Sequence, residues 1–380
     1  MDANTSTTLL YAALLAAAFL YLFAVLRRGK GGGGGAPLPP GPTGLPLVGS
    51  LLSLDPELHV YFARLAGKYG PIFSIRLGSK LGVVITSPSL AREVLREQDL
   101  VFSSRDVPDA ARSISYGGGQ NIVWNPVGPT WRLLRRVCVR EMLSPSGLEN
   151  VHGLRAREFR ATLAHLHRAA GTGTPVDVGA QMFLTVMNVI TGTLWGGSVG
   201  SDSERAAVGK EFRDLVAEIT EMLGAPNVSD FFPALARFDL QGIRRNSDVL
   251  KDRFDQMFAR IIDQRVKAAG DAQEDFLEYM LRLEKEGGDG KAAFTMTNVK
   301  ALLMLDYIPF GSGRRICAGI AMAERMTAYS LAMLLQAFDW ELPAGAKLDL
   351  AERFAIVMKK ATPLVAVPTP RLSKPELYSA

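Results

Sequence analysis

Ten residues, Phe310-Gly311-Ser312-Gly313-Arg314-Arg315-Ile316-Cys317-Ala318-Gly319, constrain this 380-residue chain more than any other stretch. They spell F-x-x-G-x-R-x-C-x-G and run directly into a helical pattern. Gly311 and Gly313 permit a tight turn and a close approach of backbone to a flat ligand. Cys317 precedes a helix N-terminus, where free N–H groups and the helix dipole favour thiolate over thiol. Arg315 is spaced to neutralise an acidic substituent of the ligand, and Phe310 to shield the sulfur from water. A thiolate in a dry pocket is a strong donor to iron. Two other readings compete. A lone cysteine is most often a buried packing residue. Gly311-Ser312-Gly313 before a helix also suggests a dinucleotide loop, but that loop needs a third glycine where this chain has Ile316.

At every fixed position the ten residues match the haem-binding signature of the cytochrome P450 family, which this chain resembles. The resemblance implies haem b (iron protoporphyrin IX) as cofactor and Cys317 as its axial metal ligand. Phe310, Gly311, Gly313, Arg315 and Gly319 would form the cradle. Trp131-Arg132-Leu133-Leu134-Arg135 matches the family's W-x-x-x-R helix, whose Trp and Arg bind haem propionates. Positions i and i+4 share a helix face, so Trp131 and Arg135 can reach one carboxylate edge. Plant microsomal members are the nearest in character. The implied fold is mainly α with a small β part. The implied activity is insertion of one oxygen atom from O2 into a small apolar molecule, with NADPH acting only indirectly, through a reductase. Arg132, Arg136 and Arg140 form an i, i+4, i+8 stripe that resembles the family's basic reductase-docking face. A solvated charged face is the alternative.

The N-terminus fits the same picture. Leu9 to Leu26 are eighteen positions without a charge, a helix of about 27 Å, close to a thin bilayer core. Arg27, Arg28 and Lys30 follow at once, which places the body on the cytosolic side of a single-pass anchor. The expected site is the endoplasmic reticulum membrane. Five consecutive glycines, Gly31 to Gly35, and the proline-rich Pro37 to Pro42 then make a flexible joint followed by a stiff one. The expected division is therefore an anchor over 1–30, a hinge over 31–46 and a truncated haem domain over 47–380. A net charge of +5 over this length does not suggest a nucleic-acid binder, and two cysteines exclude a disulfide framework.

In the body, patterning predicts a helix over Leu58–Tyr69, a hairpin over 72–86 and a short helix over Pro88–Glu97. Helices are also expected near 130–142, 154–169, 178–195, 203–223 and 241–268. Phe294 to Leu305 starts another helix that stops without a capping signal, and a last helix should run from Ala318 to about Phe338. Two family features are missing. No A/G-G-x-D/E-T string, which carries the proton-delivering pair, stands before the cysteine loop. The family's E-x-x-R helix is absent as well, since Glu93–Arg96 lies before Trp131 and reads as an unrelated surface pair. The chain thus reads as a member lacking one contiguous block near Leu305/Asp306. The alternative function is a catalytically incompetent, membrane-anchored isoform with weak or no haem binding.

Overall fold

The computed structural model describes residue 16 and residues 37–196, 202–267, 275–304, 310–354 and 358–378. The expected anchor over 1–30 lies outside the described residues apart from Ala16, as do the first part of the hinge and the Leu305/Asp306 junction. The chain forms two compact units, Met1–Ala91 and Arg92–Ala380.

In the first unit, helix α1 (Leu58–Tyr69) ends at Gly70, whose φ of 97° few residues with a Cβ tolerate. Strands β1 (Ile72–Leu77) and β2 (Lys80–Ile85) pair antiparallel, with Leu77 opposite Lys80, so the turn is only Gly78-Ser79. The predicted hairpin is present, its second strand beginning two residues early. Phe73 and Ile75 are buried on one face of β1, as strand alternation requires.

The second unit is mostly helical. Its main helices are α2 (Pro129–Val137), α3 (His152–Thr172), α4 (Val178–Trp195), α5 (Asp202–Gly224), α6 (Ile243–Lys267), α7 (Phe276–Lys285), α8 (Met296–Leu303) and α9 (Ile320–Ala337). Pro129 occupies the first turn of α2, where its missing N–H costs nothing. Helix α7 lies in a stretch where the sequence pattern gave no helix. Its signal is a capping Asp275, which accepts from the Glu278 N–H at 3.0 Å, followed by the buried Phe276, Leu277, Met280 and Leu281.

The largest core ties the site's helix to the rest. Leu133, Leu134, Val137 and Cys138 pack in one cluster with Trp195 of α4, Phe212 of α5, Phe254 and Phe258 of α6, Leu277 of α7 and Leu302 of α8. Trp195 meets Phe212 edge-on at 5.1 Å between ring centres. Helix α4 has the length and composition to cross a membrane, yet Val189, Leu194 and Trp195 are buried inside the unit, so it serves as a core helix.

The C-terminal tail anchors α9. Strands β3 (Val176–Asp177), β4 (Phe338–Glu341) and β5 (Val365–Pro370) form an antiparallel sheet in the order β3-β5-β4. Tyr378 donates its hydroxyl to the Ala337 carbonyl at 2.6 Å and stacks on His167 at 4.3 Å. His167 is tied to this small core through that stack, whereas His165 is exposed. Along α9 itself only Met326 and Ala337 are buried. Met322, Met326 and Met333 pack toward Phe159 and Val189, while Leu331 and Leu335 stand 56% and 54% exposed.

Candidate functional site

The cysteine loop closes on itself. The Cys317 N–H donates to the Phe310 carbonyl at 2.8 Å, and the Ile316 N–H to the Gly313 carbonyl at 3.0 Å. Gly311 and Gly313 adopt φ of 59° and 67°, the left-handed conformation the sequence pattern assigns to them. A Cβ on Gly313 would collide with the Leu95 carbonyl, so no side chain fits there. Around this contact, Arg96 donates to Ser312 at 3.2 Å and Arg314 pairs with Asp99 at 3.1 Å. Arg96 thus belongs to the loop's surroundings and is not an isolated surface group.

Cys317 is half-buried, and its Sγ accepts the Gly319 N–H at 3.3 Å. A backbone N–H aimed at sulfur just before α9 stabilises negative charge there. Phe310 contributes its carbonyl, and the residue as a whole is 41% exposed.

Arg315 and α2 make the other half of the site. Arg315 donates through Nε to the Ser103 carbonyl at 2.9 Å and through Nη1 to the Ile122 and Val123 carbonyls at 3.1 and 3.4 Å. Its Nη2 donates to the Asn125 carbonyl. The same guanidinium lies 4.8 Å from the Trp131 ring centre, and that of Arg135 lies 5.6 Å from it. Arg135 also donates to the Ile316 carbonyl at 2.6 Å, and Trp131 Nε1 to the Ile122 carbonyl at 3.1 Å. Burial, with the like charges of Arg105 and Arg135 adding to it, pushes the Arg315 guanidinium down to about 10. The structure therefore gathers Trp131, Arg135, Arg315 and the Cys317 loop in one place. Arg105 joins them, though nothing in its local sequence announced it; the signal is purely spatial.

The loop that feeds this cluster is held from both ends. Tyr116 donates to Asp255 at 2.6 Å, and Lys300 pairs with the same carboxylate at 3.1 Å. Asn298 Nδ2 donates to the Gln120 side chain at 2.9 Å. Burial raises the Asp255 carboxyl, but hydrogen bonds from Tyr116, Lys300 and Lys251 hold it below its ordinary value, and burial beside Asp255 raises the Tyr116 phenol. Beyond the loop, α2 gives way to a π-helical turn, Cys138–Met142, which keeps Cys138 and Met142 buried. Arg132, Arg136 and Arg140 are exposed as the stripe predicts, with Arg136 paired to Asp289 at 2.8 Å. The wider π turn shifts Arg140 off the regular i+4 line.

The residues fit a flat, dianionic ligand carrying a soft metal. The guanidiniums of Arg135 and Arg315 lie over one indole, and the charge of Arg105 bears on Arg315. A thiol with its own N–H donor stands on the adjoining loop. The sequence profile described as Cytochrome P450 matches residues 39–306 and 304–367. The chain belongs to the cytochrome P450 family. Among its relatives, geraniol 8-hydroxylase of Swertia mussotii is 28% identical, with 88% of this chain and 94% of that enzyme aligned. Sugiol synthase of Salvia miltiorrhiza is 33% identical over 72% of this chain and 55% of its own length. A solved zebrafish cytochrome P450 structure with progesterone superposes with a TM-score of 0.65 over 82% of this chain and 99% of that one, at 16% identity, a likeness of fold alone.

By family, this P450 is of the haem-thiolate monooxygenase class, with haem as cofactor. Its two matched segments meet at 304–306, where the sequence pattern placed the missing block. The alignment to geraniol 8-hydroxylase runs over 466 residues while using 88% of this chain, so well over a hundred aligned positions have no residue here.

Proposed function

We propose that Cys317 ligates haem iron, that Trp131, Arg135 and Arg315 hold its propionates, and that the chain is a monooxygenase acting on a small apolar molecule. The observation that carries this reading is the stacking of Arg135 and Arg315 on one indole beside the Cys317 loop. When bound, haem supplies the oxygen chemistry of the family. The chain's own residues supply its setting. Gly319 N–H steadies charge on the sulfur, and the Phe310–Cys317 hydrogen bond fixes the direction of that sulfur. Gly313 lets the loop lie flat against Leu95, and the arginines neutralise the carboxylates. The similarity to geraniol 8-hydroxylase supports a small terpenoid alcohol as the substrate class.

The exposed Arg132, Arg136 and Arg140 are the docking face for an acidic NADPH-dependent reductase. The apolar run at 9–26 anchors the chain once in the endoplasmic reticulum membrane, with the body on the cytosolic side.

A second reading has its own support. Helix α8 ends at Leu303, the profile match divides at 304–306, the A/G-G-x-D/E-T string is missing, and α9 leaves Leu331 and Leu335 exposed. A chain built this way is a catalytically incompetent isoform with weak or no haem binding. One experiment separates the two. Purified chain reconstituted with haem should give the thiolate-type band in the reduced, CO-bound spectrum, and Cys317→Ala should lose it. Product formation with NADPH and reductase then selects the monooxygenase; the band without product selects the second reading. A wild-type chain with no such band refutes the monooxygenase and leaves the second reading standing.

A further inference from the structure

The geometry points to Asn125 as a further haem-holding residue, its side-chain amide donating to a haem carboxylate beside Arg315 and Trp131. This inference rests on the reading that haem sits at this site. Asn125 is 8% exposed, and its Nδ2 is buried without a hydrogen-bond partner among the described residues. Buried amide donors are rarely left unmade, because each gives up its water and gains nothing in return. The contrast with Asn121, four residues earlier, is direct. Asn121 spends its Oδ1 on the Val123 and Trp124 N–H groups at 3.1 and 2.8 Å, so its side chain is accounted for by the turn it makes. Among the described residues, no turn, cap or partner accounts for the Asn125 amide.

Its neighbourhood explains the shortage. The Asn125 carbonyl is already taken by Arg315 Nη2, and the carbonyls of Ser103, Ile122 and Val123 are taken by the same guanidinium. Trp131 Nε1 shares the Ile122 carbonyl. Donors here compete for backbone acceptors. An incoming carboxylate brings two oxygens and about four lone-pair directions, which relieves that competition and gives Nδ2 an acceptor. A carboxamide suits the position better than a fourth cation, since Arg105 and Arg135 already bear on Arg315.

The test compares hemin with hemin dimethyl ester, in which both carboxylates are masked, by absorbance titration of the purified chain. Wild type should bind hemin more tightly than the ester. Asn125→Ala should weaken hemin binding about fivefold to tenfold and leave ester binding unchanged. Asn125→Asp, which places a like charge beside the propionate, should weaken hemin further. Thermal melting of the haem-free chain should show Asn125→Ala at least as stable as wild type, because the substitution removes an unpaired donor. Equal weakening for hemin and ester would overturn the inference, since the side chain would then act on the fold and not on a carboxylate. So would a hemin preference that Arg315→Ala abolishes and Asn125→Ala leaves intact, which would spare the haem reading. A wild-type chain that binds neither compound overturns both.

Discussion

Helices α4 and α9 have the same length, eighteen residues, and both are rich in apolar side chains, yet they lead opposite lives. Seven residues of α4 are buried, among them Val189, Leu194 and Trp195, whereas α9 buries two. The difference is not in the helices but in their neighbours. Helix α4 packs among α3, α5 and α7, all of which this chain retains. Helix α9 follows the point where the family match divides, and the positions that relatives place between its two segments are missing here. Helical pattern thus specifies which face wants cover, and the rest of the chain decides whether cover arrives.

The largest expected effect lies on the covered side. Trp195→Ala should cost roughly 3–5 kcal/mol in urea unfolding, because it opens a cavity between Phe212 and Phe258. A loss below about 1 kcal/mol would show that this core is already loose.

The two cysteines sharpen the contrast. Cys138, in the α4 core, is fully buried and its thiol is pushed up to about 12, chiefly by desolvation. At pH 8 only about one in ten thousand Cys138 groups is a thiolate, so iodoacetamide followed by mass spectrometry should label the half-buried Cys317 and spare Cys138 until unfolding. The sign for stability follows: the native thiol holds its proton more tightly than the unfolded one. Its contribution is complete below about pH 9 and is lost as pH rises toward about 12. Labelling of both cysteines at equal rates in the folded chain would erase the distinction.

The smallest effect lies on the bare side. Leu331→Glu together with Leu335→Glu should change unfolding free energy by no more than about 0.5 kcal/mol while reducing self-association seen by light scattering. A large loss of stability would mean that α9 is covered after all.

These contrasts also show what a sequence displays. The helix near 130, the hairpin, the long helices and the Gly311/Gly313 turn were all legible, because each is set by local chemistry. The capped start of α7 was written in Asp275 and Glu278, yet the hydrophobic pattern around them is short. The π turn after Val137 carries no such mark and arises from packing of Cys138 and Met142. In the candidate site, Cys317 and Arg315 could be picked out from the loop's pattern, and Trp131 and Arg135 from the resemblance to the family's W-x-x-x-R helix. Arg105 and Asn125 could not, since their place beside Arg315 comes from a loop brought there by Asp255, Lys300 and Asn298. Phe310 fits the motif, and its carbonyl accepts the Cys317 N–H.

The acceptors of Arg315 precede it by 190 to 212 residues. On a translating ribosome, Ser103, Ile122 and Asn125 therefore emerge long before the guanidinium that will bridge them exists. Closing contacts so distant in sequence is slow, and here it must wait for nearly the whole polypeptide. The bridge that Arg315 makes between Ser103, Ile122 and Asn125 is consequently a late event in the life of the nascent chain, and an early ribosomal stall would release a product that lacks it.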